Sequence, residues 1–286
     1  MRHVRMSDPV LSWPRVDCVQ LWAVPVVYSW VGLAPYVDWL DAQECERAKE
    51  LRFERDRLLY VQAHLWLRRL LGHHLSLEPG RVEVVRSPLG KPLLCCDSAQ
   101  PTQLHFSLSH THSALLIGLS FDGDIGVDIE KLRPVKDLEP LGNAVLHPLE
   151  SLELWNDATS DDDRLRRFFR VWTAKEAYTK ALGLGLSHPF RSLCVRLDER
   201  SFELHDAVTE DTGATATSGC SIAADVGDEG AEYAIAACLR ARQASFVLHR
   251  LSGGAQFSDP LPGEGGTMVC GPSGGVGEGR QPGIAN

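Results

Sequence analysis

The spacing of apolar residues switches along this chain between the period of a strand and that of a helix. Residues 41–75 have the spacing of a helix that is broken near residues 53–56, and Gly72 is its expected end. Residues 17–26, 81–85, 104–110, 113–120 and 124–130 are typical of strands, and Leu104, Phe106 and Leu108 alternate with polar residues in the third of these segments. We therefore expect the first part of the chain to combine a long helical segment with several strands.

The second part of the chain repeats this order of helices followed by strands. Helical spacing occurs in residues 138–155, around His147 and Pro148, and in residues 164–182, before Gly183. Four segments that are typical of strands follow: "LCVRL", "SFELH", "YAIAACL" and "SFVLHRL". The sequence therefore predicts an α+β fold with two similar halves, residues 15–131 and residues 132–251.

Two segments contain too few apolar residues for a helix or strand to be predicted in them. Residues 206–232 are small, polar and acidic, and we expect a long loop there. Residues 252–286 are rich in glycine and proline, and we expect a disordered tail because such a segment cannot bury enough apolar surface.

Charge and composition restrict the partners and the compartment. A formal net charge of -9 argues against general binding of nucleic acid, which requires a basic face. No apolar run reaches the length of a membrane span, and the N-terminal residues lack the apolar core of a signal peptide. The eight cysteines form no CxxC pair, as expected of reduced thiols in a cytoplasmic protein. The arginines clustered in residues 164–170 either steer an anionic partner or form a solvated helix face.

The stretch "GVDIE" places two carboxylates on one face of a predicted strand. Alternate side chains share a face, so Asp128 and Glu130 point together while Val127 and Ile129 point into the core. Two neighbouring carboxylates repel each other unless a cation lies between them, and Mg²⁺ favours such oxygen ligands. The alternative interpretation is an edge strand with a solvated acidic face.

A helical stripe in residues 166–186 offers a second group of candidates. Trp172, Glu176 and Lys180 follow one another at intervals of four residues, so they share one helix face. Glu176 could be a third metal ligand or a base, and Lys180 could bind phosphate. The alternative is an ordinary surface salt bridge between these two side chains.

Other common reaction centres find little support in the sequence. His105, His110 and His112 raise the possibility of zinc, but no cysteine or acid completes a set with typical spacing. The sequence contains no GxSxG elbow, no Walker A motif and no GxGxxG motif. Serine hydrolysis, ordinary nucleotide hydrolysis and dinucleotide redox chemistry are therefore not the leading hypotheses.

Taken in order, four motifs resemble one known family. "RSPLGKP", "SLSHT", "GVDIE" and "WTAKEAYTKALGLGL" are similar to the serial motifs of the 4′-phosphopantetheinyl transferases, specifically the large surfactin-type group. The resemblance covers about residues 47–197. It implies two pseudo-symmetric α+β halves with the active site in the cleft between them.

The resemblance also implies a reaction. The expected activity transfers the 4′-phosphopantetheine group from coenzyme A to a serine of an apo acyl or peptidyl carrier protein and releases adenosine 3′,5′-bisphosphate. The expected cofactor is Mg²⁺, with Mn²⁺ as the alternative, because both ions prefer oxygen ligands. We expect a monomer with no nucleic-acid or membrane partner.

Carried over onto matching positions, the resemblance assigns roles to individual residues. Asp128, Glu130 and Glu176 are the expected metal ligands. Glu176, Lys180 and His110 are the expected catalytic residues, with Glu176 accepting the serine proton and Lys180 stabilising charge on the leaving group. The expected contacts to coenzyme A come from Arg47, Arg86, Lys91, Ser109, His110 and Lys180.

Two other functions remain open on the sequence alone. A metal-dependent phosphodiesterase could use the same acids and would cleave coenzyme A without a carrier protein. A non-catalytic coenzyme A-binding module would keep the cleft but lack one of the reactive groups, whereas Asp128, Glu130, Glu176 and Lys180 are all present.

Overall fold

A computed structural model describes residues 18–95, 103–208, 217–226, 230–240, 244–252, 255–259, 261 and 267–270. Its helices are α1 Ala42–Glu50, α2 Glu54–Leu75, α3 Leu138–Val145, α4 Pro148–Asn156 and α5 Asp161–Leu182. Its strands are β1 Cys18–Pro25, β2 Val84–Arg86, β3 Pro92–Leu94, β4 His105–Thr111, β5 Ala114–Ser120, β6 Ile125–Lys131, β7 Leu193–Leu197, β8 Ser201–Asp206, β9 Ser218–Ala224, β10 Tyr233–Leu239, β11 Ser245–Arg250 and β12 Thr267–Cys270.

Two five-stranded sheets form the centre of the molecule. The first has the strand order β12-β11-β1-β5-β4 and the second has the order β6-β10-β9-β8-β7. Helix α2 covers the outer face of the first sheet, where Leu65 packs in one buried cluster with Trp22 and Ile117. Helix α5 covers the outer face of the second sheet through residues such as Phe168 and Ala174. The predicted α+β class is confirmed.

The inner faces of the two sheets pack against each other. Leu21 and Leu116 of the first sheet share a buried cluster with Ile129 and Ile235 of the second. Strand β1 contributes to both cores, because its alternate residues face α2 and the second sheet. This double burial explains why β1 is apolar on both faces.

The strand partners do not follow the predicted division at residue 131. Strand β6 precedes that position but pairs antiparallel with β10 of the second sheet. Strand β11 follows it but pairs parallel with β1 of the first sheet. Each sheet therefore includes a strand from the other predicted half, and the domain boundaries themselves stay a prediction. Residues 15–17, the predicted start of the first half, lie outside the described residues.

Several helix ends lie where the sequence predicts them, although α5 begins at Asp161 and not at the predicted residue 164. Asp41 caps α1 by accepting a hydrogen bond from the backbone N–H of Glu44. The helix does break, but at residues 51–53, so the break begins earlier than the predicted residues 53–56. Helix α5 ends at Gly183, which has a φ of 74°. The prediction that Gly72 ends α2 is wrong, because the helix continues to Leu75. A side chain at Gly72 would come within 2.7 Å of the Leu77 backbone oxygen, so close packing accounts for this glycine.

Two predictions of irregular structure need correction. Strand β9 lies inside the predicted loop 206–232, and its Cys220 and Ile222 enter the core between the sheets. The predicted disordered tail 252–286 contains β12, which pairs with β11, and Phe257, which packs 4.7 Å from the ring of Trp66. Burial of one aromatic side chain provides the anchor that the composition of the tail did not reveal.

The last turn of α2 makes the stability of the fold depend on pH. Burial lowers the pKa of His74 to about 4, although its Nδ1 lies 2.7 Å from the Leu70 backbone oxygen. In the unfolded chain the ring takes up a proton near pH 6.5, so stability is lost as the pH falls from that value towards 4.

We expect the free energy of unfolding to fall by about 2 kcal/mol more in the wild type than in His74→Gln between pH 7 and pH 5. Urea unfolding of both proteins at the two pH values measures this difference. An equal loss in both would show that His74 is hydrated in the folded protein.

Among the described residues, no helix is long and apolar enough to cross a membrane.

Candidate active site

The predicted catalytic acids lie on β6 and α5, which pack directly together. Gly126 of β6 faces Ala177 and Ala181 of α5. A Cβ atom at this glycine would come far closer than 3.0 Å to backbone atoms of both alanines, so the approach requires the absence of a side chain. This contact holds Asp128, two residues along the strand, beside the face of α5 that carries Glu176.

Lys180, Ser109 and Asp128 form a compact polar cluster at this junction. The Lys180 Nζ atom lies 2.6 Å from Asp128 Oδ1 and donates to Ser109 Oγ at 3.0 Å. Ser109 in turn donates to the same Asp128 oxygen at 2.7 Å. The other oxygen, Asp128 Oδ2, is buried and has no hydrogen-bond partner in the described structure. One side of this carboxylate is thus neutralised, and the other is available to a ligand.

Glu130 and Glu176 interact electrostatically with the Asp128 carboxylate. Burial, and then repulsion by Asp128, raise the pKa of each of these two glutamates. Lys180 opposes the shift in both cases by lowering the pKa. The charges of Asp128, Glu130 and Glu176 thus act on one another and are opposed by the charge of Lys180. This arrangement excludes the alternative of a fully solvated acidic face.

His110 is the last but one residue of β4 and borders the same cluster. Loss of hydration, followed by the positive charge of Lys180 and by His64, lowers the pKa of His110. The neutral ring is therefore favoured in this free state of the protein. Ser109, the preceding residue, points to the opposite side of β4, where it is bound to Asp128 and Lys180.

Arg47 and Arg86 line one pocket of about 590 Å³ between α1, α2 and the β2–β3 hairpin. Tyr60 and His64 of α2 form part of its wall. Arg47 is exposed and pairs with Glu50 at 2.8 Å, whereas Arg86 donates to the Gly90 backbone oxygen. The structure therefore brings together two of the arginines that the sequence assigned to one ligand.

Lys91 occupies a different place from these two arginines. Its ammonium group is largely buried and donates to the backbone oxygens of Ala181 at 3.1 Å and Ile125 at 3.4 Å. Burial lowers the pKa of Lys91. The side chain thus connects the end of α5 to the start of β6, and in this conformation it does not point into the pocket of Arg47 and Arg86.

Family models and individual relatives identify the chain. A model described as "4′-phosphopantetheinyl transferase, N-terminal" matches residues 26–118, and one described as "4′-phosphopantetheinyl transferase superfamily" matches residues 124–238. The 4′-phosphopantetheinyl transferase HetI of Nostoc sp. is 36% identical over 187 residues, which cover 65% of this chain and 78% of HetI. This chain belongs to the 4′-phosphopantetheinyl transferase family.

Further relatives of this phosphopantetheinyl transferase are named for the same activity. A phosphopantetheinyl transferase of Thraustochytrium sp. is 29% identical over 64% of this chain and 67% of its own length. The 4′-phosphopantetheinyl transferase AcpT of Escherichia coli is 39% identical over 41% of this chain and 57% of its own length. The predicted activity, transfer of the phosphopantetheine group to a carrier protein, is confirmed by this membership.

The oxygen groups of the transferase site suit a hard divalent cation. No set of three His, Cys, Asp or Glu side chains in the described ranges is already arranged around a common metal position. Asp128 nevertheless presents a buried oxygen without a partner, and it raises the pKa of both Glu130 and Glu176. A cation would relieve this repulsion and satisfy the orphaned oxygen. The donor set therefore fits Mg²⁺ or Mn²⁺.

Several predicted surface groups are already engaged elsewhere. Arg164, Arg166 and Arg167 pair with Asp161, Glu232 and Asp163. Arg170 donates to the backbone oxygens of Asp198 and Ser221. Acids therefore neutralise three of these four guanidinium groups, which weakens any attraction of the cluster for an anionic partner. No described histidine belongs to a possible zinc site, and His105 pairs instead with Asp124 at 3.1 Å.

Sequence reasoning missed two features of the site. It treated Lys180 as a possible partner of Glu176, whereas the ammonium group reaches across to Asp128 on β6. It also assigned no role to Gly126, although this glycine sets the approach of β6 to α5. A glycine inside an otherwise apolar strand indicates a close backbone contact, and this signal was present in "GVDIE".

Proposed function

We propose that the transferase takes the 4′-phosphopantetheine group from coenzyme A in a reaction that requires Mg²⁺ or Mn²⁺. The acceptor is a serine of an apo acyl or peptidyl carrier protein, and adenosine 3′,5′-bisphosphate is released. The observation that supports this proposal is the meeting of Asp128 and Glu130 on β6 with Glu176 and Lys180 on α5.

We also assign the chain to the large group with two halves, which includes the surfactin-type enzymes. Two successive family models, over residues 26–118 and 124–238, support this assignment. We further propose that the enzyme is a cytoplasmic monomer, in keeping with the resemblance and with its eight cysteines without a CxxC pair.

The pocket of Arg47 and Arg86 suits the nucleotide end of coenzyme A. Both guanidinium groups can pair with phosphate oxygens in a forked geometry. The pocket, at about 590 Å³, is large enough to receive a nucleoside. Lys91 would reach the phosphates only after leaving the backbone oxygens of Ile125 and Ala181.

Lys180, Ser109 and His110 can then contact the phosphates nearest the reaction. The Lys180 ammonium group, which lies against Asp128 in the free protein, can turn to the leaving phosphate and stabilise its growing negative charge. The neutral His110 ring can donate one N–H to an oxygen of the same diphosphate. The contact of Ser109 with Lys180 orients the ammonium group for this step.

Asp128, Glu130 and Glu176 would hold the divalent cation against the diphosphate. When bound, such an ion neutralises charge on the phosphate oxygens and helps to orient the attacked phosphorus. Glu176 is in addition the group best suited to accept the serine proton. Burial and Asp128 raise the pKa of Glu176, which makes its carboxylate a stronger base than an exposed glutamate.

The function is tested by incubating the protein with coenzyme A, Mg²⁺ and an apo carrier protein and then weighing the carrier by mass spectrometry. We expect a gain of one phosphopantetheine group, which is lost when the cation is removed with EDTA. Cleavage of coenzyme A without a carrier would indicate the phosphodiesterase instead. Binding of coenzyme A without any transfer to a panel of carriers would indicate the non-catalytic module.

A further inference from the structure

A buried ion pair lies directly behind the candidate catalytic helix. The side chains of Lys175 and Glu150 are 0% and 2% exposed, and Lys175 Nζ lies 2.6 Å from Glu150 Oε2. Lys175 is the neighbour of Glu176 on α5, and successive side chains on a helix are about 100° apart. The pair therefore lies on a different face of α5 from the one that carries the acid.

Every polar atom of this ion pair has a partner. Lys175 also donates to the backbone oxygens of Val145 and Phe190, each at 2.9 Å, so its three N–H groups are all used. Glu150 Oε1 accepts from the backbone N–H of Val195 at 2.6 Å, and Oε2 accepts from that of His147 at 2.7 Å. The pair thus connects α5 to the end of α3, the start of α4 and strand β7.

A buried ion pair is a costly way to hold a helix in place. Removing two charges from water costs several kcal/mol per ion, and apolar residues of similar volume often stabilise a protein equally well. An ion pair with five directed hydrogen bonds differs from apolar packing because it accepts only one rotation and one register of the helix. The position of Glu176 depends on both.

Catalysis requires the Glu176 side chain to be placed more precisely than helix packing alone ensures. A helix with its side chains is about 10–12 Å across, so a rotation of about 20° moves a side-chain tip by about 2 Å. Productive catalytic geometry tolerates errors of about 0.5 Å. Contacts of Gly126 with Ala177 and Ala181 set the distance between β6 and α5, but small, smooth surfaces do not by themselves prevent rotation.

We propose that Lys175 and Glu150 are positioning residues for the phosphopantetheinyl transfer. Their buried pair fixes the rotation of α5 and thereby holds Glu176 against Asp128 and Glu130. This inference rests on the proposed role of Glu176. It assigns the first lysine of "WTAKE" to a structural task and leaves contact with the phosphates to Lys180.

The double variant Lys175→Met/Glu150→Gln tests the proposal, because it removes both charges and keeps the volumes similar. We expect kcat to fall by at least about tenfold, since a displacement of about 1 Å can cost a factor of about a hundred. The KM for coenzyme A should change less than kcat does, because Arg47 and Arg86, the proposed contacts to the nucleotide end, lie on other elements. Retention of the wild-type kcat would overturn the proposal.

Leu154→Ala is the matched control, because Leu154 is buried on α4 in an apolar cluster with Phe168 and Ala174 of α5 and is not one of the predicted site residues. This change lowers stability by about 2–5 kcal/mol without removing the ion pair. Assayed below both melting temperatures, it should keep kcat within about twofold of the wild type. A fall in kcat equal to that of the double variant would show that stability alone matters, and would equally refute positioning.

Glu150→Asp decides the question if the double variant does not fold. The aspartate keeps a negative charge for Lys175, which also keeps its bonds to Val145 and Phe190, but its side chain is one methylene group shorter, so the ion pair re-forms only if α4 or α5 shifts. We expect a fall in kcat of about threefold or more with a smaller change in the KM for coenzyme A, and an unchanged kcat would refute the proposal. Absence of transfer by the wild type would instead count against the proposed function.

Discussion

Replacing Glu176 with glutamine should reduce phosphopantetheinyl transfer by a factor of about a hundred to ten thousand. The substitution removes both the proposed proton acceptor and one of the three carboxylates of the proposed cation site. It should not harm the fold. Burial and Asp128 already disfavour the charged form of Glu176, as its raised pKa shows, so a neutral side chain relieves repulsion in the free protein.

The measurement is the initial rate of carrier modification, followed by mass spectrometry, together with the thermal unfolding temperature. Glu203→Gln is a suitable control, since Glu203 is an exposed residue of β8 in the same sheet as Asp128. This control should transfer at the wild-type rate. Normal turnover by Glu176→Gln, with the unfolding temperature unchanged, would remove Glu176 from the mechanism.

Replacing Gly126 with alanine should damage both stability and activity. The added methyl group would overlap the backbone oxygen of Ala177 and the backbone nitrogen of Ala181, neither of which can move aside as a side chain can. Strand β6 and helix α5 must separate to admit it. We expect a loss of about 1–3 kcal/mol or more in the free energy of unfolding. Transfer should fall as well, because Asp128 and Lys180 move apart.

Urea unfolding and transfer assays below the unfolding midpoint measure the two effects separately. Gly32→Ala is the matched control, because no atom lies within 4 Å of the position of its added methyl group. It should leave stability and transfer close to those of the wild type. If Gly126→Ala were as stable and active as this control, the close contact between β6 and α5 would not exist in solution.

Local pattern was sufficient to predict most elements of the fold. The alternation in residues 124–130 gave the strand, and Ile125, Val127 and Ile129 do enter the core between the sheets. The four-residue spacing of Glu176 and Lys180 predicted their common helix face. The first helix is broken as expected, although at residues 51–53 rather than near residues 53–56. These features depend on neighbours in sequence, which periodicity records directly.

The remaining features depend on contacts between distant segments. Alternation does not reveal which strands pair, so it could not show that β6 joins β10 or that β11 joins β1. Strand β9 was missed because its outward positions are small. Gly219 must be small, since a side chain there would overlap the ring of Phe202, and the buried Ser221 binds Arg170. Small residues chosen for close packing resemble those of a loop.

The parallel pairing of β1 with β11 has a consequence for the synthesis of the protein. Cys18 lies beside Ser245, so β1 lacks its partner β11 until residues 245–250 have left the ribosome. Formation of this sheet must await closure of a very long loop, and contacts of such high order slow folding. The N-terminal segment therefore cannot complete its sheet on its own during synthesis. The edge of β1 that later pairs with β11 stays open until then, and chaperones would need to shield it.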